Sequence, residues 1–304
     1  MFFMEPLVSV VTSTFNIIES GREDDFEKLC QSISVQTYKN IEHVIVDGNS
    51  DDGTRELLKK YAGNERVKYI SEPDGGIFDA FNKGVRLAGG KYIIFMGSDD
   101  YFYSKDAVQC AVNALELNNA DFSYGDVYLL NETKPQKSRI SHGNLHEIFF
   151  RMSFCHQSVF MRKDILEKYS FDSSYKISAD YDLCLRLIMN NGKSVKVNAV
   201  VSVFRTGGAS SNEKIFNEER LKIFKNRFCL NDYEALFLLN YKVLPFRKVK
   251  EFAQFFNGTE KFRFYLAAVF NFLHYLRGNI IRIRTSKGKE SFILFGKELL
   301  KKKI

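Results

Sequence analysis

The sequence predicts an α/β fold, a mostly parallel sheet flanked by helices, followed by a basic, helical C-terminal extension. Three observations predict it. Strand-like and helix-like runs alternate through residues 7–100. Each strand-like run there leads into a cluster of small, polar and acidic residues. Beyond residue 211 helical periodicity takes over, with a strong excess of Lys and Arg toward the end.

The elements follow in order. A first strand over 7–12 is rich in Val and leads into the polar turn 13–16. A helix starts near Asp24, with Phe26, Leu29, Cys30 and Ile33 on one face. The second strand, 42–47, runs into Gly48-Asn49-Ser50-Asp51-Asp52-Gly53-Thr54, a dense turn signal. Thr54 is expected to cap the next helix, which carries Leu57, Leu58 and Tyr61. A third strand, 67–70, precedes Ser71-Glu72-Pro73-Asp74-Gly75-Gly76. A helix over 77–88 presents Phe78, Phe81, Val85 and Ala88, and Gly89-Gly90 ends it. The fourth strand, 92–96, is apolar enough to be covered on both faces. It stops abruptly at Gly97-Ser98-Asp99-Asp100.

Right-handed crossovers put the carboxyl ends of such strands on one edge. The clusters at 12–16, 47–54, 72–76 and 98–100 are therefore expected to converge on one crevice, where open α/β sheets bind their ligands. Asp99 and Asp100 are adjacent carboxylates whose mutual repulsion makes joint burial expensive. A divalent cation removes that cost, and oxygen ligation favours magnesium or manganese.

After a helix over 107–117 the pattern changes. A half-exposed strand over 122–128 and a short strand over 155–161, containing His156 and Gln157, flank a polar loop. Ser178-Ala179-Asp180-Tyr181-Asp182 opens a helix with Leu183, Leu185, Leu187 and Ile188. Asp180 and Asp182 suit its start as caps and against its dipole. A last strand, 197–204, ends in Thr206-Gly207-Gly208-Ala209-Ser210-Ser211. Helices are expected over 216–228, 233–241 and 252–276, so the chain divides into a catalytic domain, 1–211, and an extension, 212–304.

The chain has 304 residues and a net charge of +7, unevenly spread. From Lys242 onward 15 Lys and Arg face 4 Glu, a balance of +11, so the preceding residues carry −4. Five scattered cysteines without a CxxC pair read as reduced thiols of a cytosolic protein. No signal-peptide pattern and no apolar run of membrane-spanning length is visible. A dehydrogenase would need G-x-G-x-x-G after a strand, and none is present.

The chain resembles the family 2 glycosyltransferases, which have the GT-A fold. The resemblance rests on Val10-Val11-Thr12 with Asn16, Gln36-Thr37-Tyr38, Val46-Asp47-Gly48 with Ser50-Asp51-Asp52-Gly53-Thr54, and Ser71-Glu72-Pro73-Asp74. It continues through Asn82-Lys83-Gly84, Ser98-Asp99-Asp100, His156-Gln157, Ala179-Asp180-Tyr181-Asp182 and Gly207-Gly208. These fall in the family's order over residues 6–211. The resemblance implies transfer of a sugar from a nucleotide diphosphate, expected to be UDP-linked, to an acceptor hydroxyl with inversion. Bacterial members similar to this chain build surface polysaccharides, which implies a lipid-linked or oligosaccharide acceptor. By position, Asp47 resembles the residue that contacts the base, with Thr12 and Asn16 beside it and Asp74 near the nucleoside. Asp99 resembles the ribose contact, Asp100 the metal ligand and Asp180 the general base. Two positions depart from the pattern. Ala179 stands where many members have Glu, which leaves Asp180 and Asp182 both open as the base, and Gly48 stands where a second Asp is frequent. The rival readings are a sugar nucleotidyltransferase, which would carry a Gly-, Arg- and Lys-rich loop where this chain has Ser13-Thr14-Phe15-Asn16, and a non-catalytic sugar-nucleotide-binding subunit.

The extension combines an aromatic, apolar stretch over 262–276 with Arg277, Arg282, Arg284, Lys287, Lys289 and Lys301-Lys302-Lys303. That order suits a helix lying at an anionic membrane surface, and a cytoplasmic protein peripheral to the inner face of the cell membrane. The alternative is a helical subdomain that packs on the body or makes a homo-oligomer. No nucleic-acid-binding motif accompanies the charge.

Overall fold

The computed structural model describes residues 5–208, 212–279, 283–286, 289–294 and 297–303. Ala209, Ser210 and Ser211 of the last polar cluster, and Arg282 and Lys287 of the basic tail, lie outside the described residues. The chain forms two compact units: Met1–Asn144 with Ser153–Glu219, and Leu145–Met152 with Arg220–Ile304.

The first unit runs β1 (Val8–Thr14), α1 (Glu23–Ser34), β2 (Ile41–Asp47), α2 (Thr54–Tyr61), β3 (Val67–Ser71), α3 (Ile77–Leu87) and β4 (Tyr92–Gly97). It continues with β5 (Tyr101–Phe102), α4 (Ala107–Asn118), β6 (Phe122–Leu130), β7 (Arg139–Ser141), β8 (Val159–Arg162), α5 (Lys163–Tyr169), α6 (Ala179–Met189) and β9 (Ser194–Arg205). The sheet order is β3-β2-β1-β4-β8-β6-β9-β5, with β7 on β6. β3, β2, β1 and β4 are mutually parallel, and β8 turns antiparallel against β4. The chain steps outward from β1 to β3 and then returns to the other side of β1. That reversal opens a crevice at the carboxyl ends of β1 and β4, where Ser13 is in register with Gly97.

Every residue of β2 is buried, and so are all but one in β1 and in β4. β4 accordingly reads as a near-continuous apolar run, whereas the buried polar residues of β1 and β2 are hydrogen-bonded in pairs, Ser9 to Glu42 and Thr12 to His43. Helix α1 has no side-chain N-cap, a loss of about 1 kcal/mol. Full burial of Phe26 and Leu29 stabilises it by about 2 kcal/mol each and outweighs that loss. Asn82-Lys83-Gly84 is a set of three braces. Asn82 exchanges two 2.9 Å hydrogen bonds with the backbone of Phe171. Lys83 donates to Pro73 O and pairs with Glu72, holding the loop after β3. A Cβ on Gly84 would lie 2.3 Å from Val11 Cγ1, so α3 rests directly on β1.

Three expectations are corrected. Thr54 does not cap α2; its Oγ1 accepts the N–H groups of Ile17 and Ile18, and Asp52 accepts the Thr54 N–H instead. The expected strand 155–161 begins as a 3₁₀ turn, His156–Ser158, before β8. Ser158 closes that turn by donating from both N and Oγ to Cys155 O. The single helix expected over 252–276 is broken between Phe252 and Gly258.

The second unit contains most of α7 (Glu213–Phe228), then α8 (Asp232–Tyr241), α9 (Phe246–Phe252) and α10 (Gly258–Asn279). A reciprocal cap between Asn231 and Glu234 starts α8. The core is a phenylalanine stack: Phe149 lies 4.3 Å from Phe252, ring centre to ring centre, and also meets Phe228, Phe256 and Phe264. Beyond α10, β10 (Ile283–Ser286), β11 (Lys289–Leu294) and β12 (Lys297–Lys303) form an antiparallel sheet that charge-rich sequence does not announce.

Candidate active site

The crevice has a volume of about 560 Å³. Strand β4 delivers its acidic pair into it. Asp100 is 2 % exposed. Its Oδ2 accepts from Gly97 N–H at 2.9 Å and from Gln157 Nε2 at 3.0 Å, while its Oδ1 has no hydrogen-bond partner among the described residues. Burial, reinforced by the charge of Asp99, pushes the Asp100 carboxyl up to about 6. Asp99 faces Arg22, whose Nη1 lies 3.8 Å from its Oδ2.

The residues that the resemblance assigns to the nucleoside separate. Asp74 lines the crevice, and burial raises its carboxyl above the usual carboxylate range. Asp47 does not line it. Its carboxylate is fully buried and accepts from Thr14 Oγ1, Ser50 N, Ser50 Oγ and Ser71 Oγ, which ties together the ends of β1, β2 and β3. Thr12 is also buried, with Oγ1 3.0 Å from His43 Nε2. Burial pushes His43 down to about 4, so its ring stays neutral. Asn16 takes a left-handed backbone (φ 45°) beside this knot; its N–H donates to Ser50 Oγ and its Nδ2 to Glu19. Gly48 is where the backbone must be bare: a Cβ there would lie 2.9 Å from Asp74 Oδ2 and 3.2 Å from Phe15.

Helix α6 presents Asp180 and Asp182 to different surroundings. Asp180 Oδ2 lies 3.1 Å from His156 Nδ1, and its Oδ1 accepts the Tyr181 N–H. Asp182 is fully buried and bonded to Arg186 Nε at 2.7 Å. Arg186 in turn donates to Tyr169 O and Ser170 O, a brace between α5 and α6. His156 lines the crevice, and its Nε2 is buried with no hydrogen-bond partner among the described residues. Burial raises the Cys155 thiol to about 12, so it stays protonated and inert.

Among the described residues no group of three or more His, Cys, Asp or Glu is arranged to hold a metal. Asp100 nevertheless fits a hard cation that takes its other ligands from phosphate oxygens and water. A buried carboxylate oxygen without a donor is costly alone and is satisfied by such an ion.

Sequence reading did not assign roles to Phe15, Arg22 and Lys176, all of which line the crevice. Phe15 carried a signal, an aromatic residue in an otherwise polar turn at a strand end. Arg22 and Lys176 come from segments with no motif, and only the fold brings them in.

The parallel half-sheet, the switch point at β1 and β4 and the acidic pair at its rim form a crevice of the kind in which open α/β sheets bind their ligands. Solved structures share the fold. Staphylococcus aureus TarS 1–349, in complex with UDP-GlcNAc, aligns over 95 % of this chain and 97 % of its own, with a TM-score of 0.61 and 17 % identity. The mannosyltransferase PcManGT from Pyrobaculum calidifontis, in complex with GDP-Man and Mn2+, aligns over 91 % and 77 %, with a TM-score of 0.55 and 15 % identity. Residues 9–171, just over half of the chain, match glycosyl transferase family 2, and the chain belongs to that family. A PGL/p-HBAD biosynthesis glycosyltransferase of Mycobacterium tuberculosis is 29 % identical over 222 residues, 71 % of this chain and 83 % of the relative. An uncharacterized glycosyltransferase of Methanocaldococcus jannaschii is 28 % identical over 250 residues, 75 % and 84 %.

Proposed function

We propose that this glycosyltransferase moves a sugar from a UDP-linked donor to a hydroxyl of a lipid-linked glycan in surface polysaccharide assembly, with inversion at the anomeric carbon. The observation that carries the proposal is the pair of carboxylates held by one turn: Gln157 bonds Asp100 and His156 bonds Asp180. The acceptor oxygen attacks the anomeric carbon as its proton passes to Asp180. The bond from that carbon to the diphosphate oxygen breaks, and its electron pair leaves with the nucleoside diphosphate. Asp100 would hold a divalent cation, manganese or magnesium, which neutralises charge on the leaving diphosphate. Asp74 and the exposed ring of Phe15 border the same crevice and are assigned to the nucleoside, and Asp99 to the ribose. Asp47, Thr12 and Asn16 serve the same pocket by fixing the loops around it. The UDP complexes of TarS support a UDP-linked donor, the Mn2+ complex of PcManGT supports a metal, and the mycobacterial PGL/p-HBAD biosynthesis glycosyltransferase supports a biosynthetic role in surface glycans.

The membrane assignment rests on α10. Among the described residues no helix is long and apolar enough to cross a membrane. Helix α10 instead leaves Phe262, Leu266, Val269, Phe270 and Leu273 exposed, at the spacing of one helical face. With a balance of +11 from Lys242 onward, that stripe suits an anionic bilayer surface on the cytoplasmic side.

A panel of nucleotide sugars with manganese, scored for nucleotide release with and without a polyprenyl-linked glycan, tests the function. Acceptor-stimulated release with a UDP-sugar is expected. No stimulation across the panel overturns the proposal.

A further inference from the structure

We infer that His156 is a second protein ligand of the divalent cation, joining Asp100 through Nε2. The inference rests on the metal-dependent reading of Asp100 and extends it to a residue from another element. The chemistry starts at the opposite ring nitrogen. Nδ1 lies 3.1 Å from a carboxylate oxygen of Asp180, and a carboxylate accepts only, so Nδ1 carries the hydrogen. The lone pair of a neutral ring is then on Nε2. That nitrogen is buried and has no hydrogen-bond partner among the described residues, and the same holds for Asp100 Oδ1.

An unpartnered buried polar atom costs about 1–3 kcal/mol. Both residues line one crevice, and a cation bound between them would satisfy both atoms. The neighbouring Gln157 donates to the other oxygen of Asp100, so the turn that carries His156 is fixed against the same carboxylate. The ring is steadied further by an edge contact with Phe81, at 5.9 Å and 67°. Carboxylate, imidazole N–H and free imidazole nitrogen in sequence form the arrangement that orients metal-binding histidines. An imidazole ligand also disfavours magnesium, which is held by carboxylate, phosphate and water oxygens.

The test uses the full chain labelled with ¹⁵N-histidine. Manganese is titrated with UDP present and followed by electron paramagnetic resonance. Wild type should show a ¹⁵N coupling to bound manganese. His156→Ala and His156→Gln should lose it and bind manganese about tenfold or more weakly; Gln keeps a donor for Asp180. Asp100→Ala should weaken binding as well, and a cooperative thermal melt shows that each variant is folded. Manganese binding that depends on Asp100 but shows no histidine coupling overturns the role of His156 and leaves the metal site standing. Wild-type protein that binds no manganese with UDP overturns both.

Discussion

Gln157 Nε2 donates to Asp100 Oδ2 across 3.0 Å, a side-chain hydrogen bond that favours the ionised form of that buried carboxylate. Removing the donor should raise the Asp100 carboxyl further above about 6. A hydrogen bond to a charged group contributes roughly 1.5–3 kcal/mol, or about 1–2 pKa units. In metal-free Gln157→Ala the Asp100 carboxyl, followed by NMR of ¹³C-labelled aspartate, should therefore titrate about one unit higher than in metal-free wild type. An Asp100 titration that stays in place shows that Gln157 does not stabilise the ionised form.

Asp100 itself should destabilise the metal-free protein at neutral pH. Its carboxyl is raised in the folded state, so its contribution is fully present below the ordinary value of 3.8 and is lost as pH rises through about 6. Asp100→Asn removes the buried charge, and its carbonyl oxygen can still accept from Gly97 and Gln157. Metal-free Asp100→Asn should be more stable than wild type at pH 7.5, by up to about 3 kcal/mol, with the gain vanishing near pH 4. Transfer activity should be lost. A variant equally stable or less stable at pH 7.5 contradicts this account.

Asp180 and Asp182 should fail in opposite ways. Asp180→Asn should lower kcat by about 10²-fold or more, the scale of general-base loss, with an unchanged melting temperature. Asp182→Ala strips the buried partner from Arg186 and should cost about 3 kcal/mol of stability. Thermal melts and single-turnover rates separate the two. Asp182→Asn losing turnover while Asp180→Asn keeps it would move the base to Asp182.

Gly48 should be intolerant of the acidic residue frequent there in similar proteins. Gly48→Asp places its Cβ within 2.9 Å of Asp74 Oδ2 and adds a second negative charge. The donor KM should rise more than about tenfold while kcat changes little, because the strain falls on the nucleoside side. Equal KM values for wild type and variant would separate Asp74 from donor binding.

The half of the fold that builds the crevice was legible because β1, β2 and β4 are covered on both faces and every strand there ends in turn residues. Orientation was less legible. Thr12 and Asp47 stand at strand ends as expected, but their side chains turn into the protein, toward His43 and toward Ser50 and Ser71. Nothing in one strand's sequence tells which end residue faces the ligand. Asp180 and Asp182 looked equivalent as helix starters, yet Arg186, four residues after Asp182, was a readable signal of pairing. The turn at His156 was hidden by the strand-forming Val159, Phe160 and Met161 that follow it, and Ser158 closes it through both its N–H and its hydroxyl. Segment 145–152 could not be assigned to the second unit, since its aromatic partners lie far along the chain.

Helix α10 carries an exposed apolar stripe. Phe270 is 70 % exposed, and Phe262, Leu266, Val269 and Leu273 share its face. A monomer in water gains nothing from this arrangement, whereas burial at a bilayer surface stabilises each large side chain by about 1.5–3 kcal/mol. Buried Phe264 and Tyr275 hold the opposite face of the helix, so polar substitutions on the stripe should leave the unit folded. Full-length protein should float with vesicles containing anionic lipid at low salt and detach as salt rises, since the basic charge adds a screened attraction. Leu266→Ser with Phe270→Ser should abolish flotation, while nucleotide release without a lipid acceptor stays at the wild-type rate. A double variant that still floats would assign membrane binding to another surface. If wild-type protein does not float but runs as a dimer that the same substitutions dissociate, the stripe is a contact between two copies of the chain.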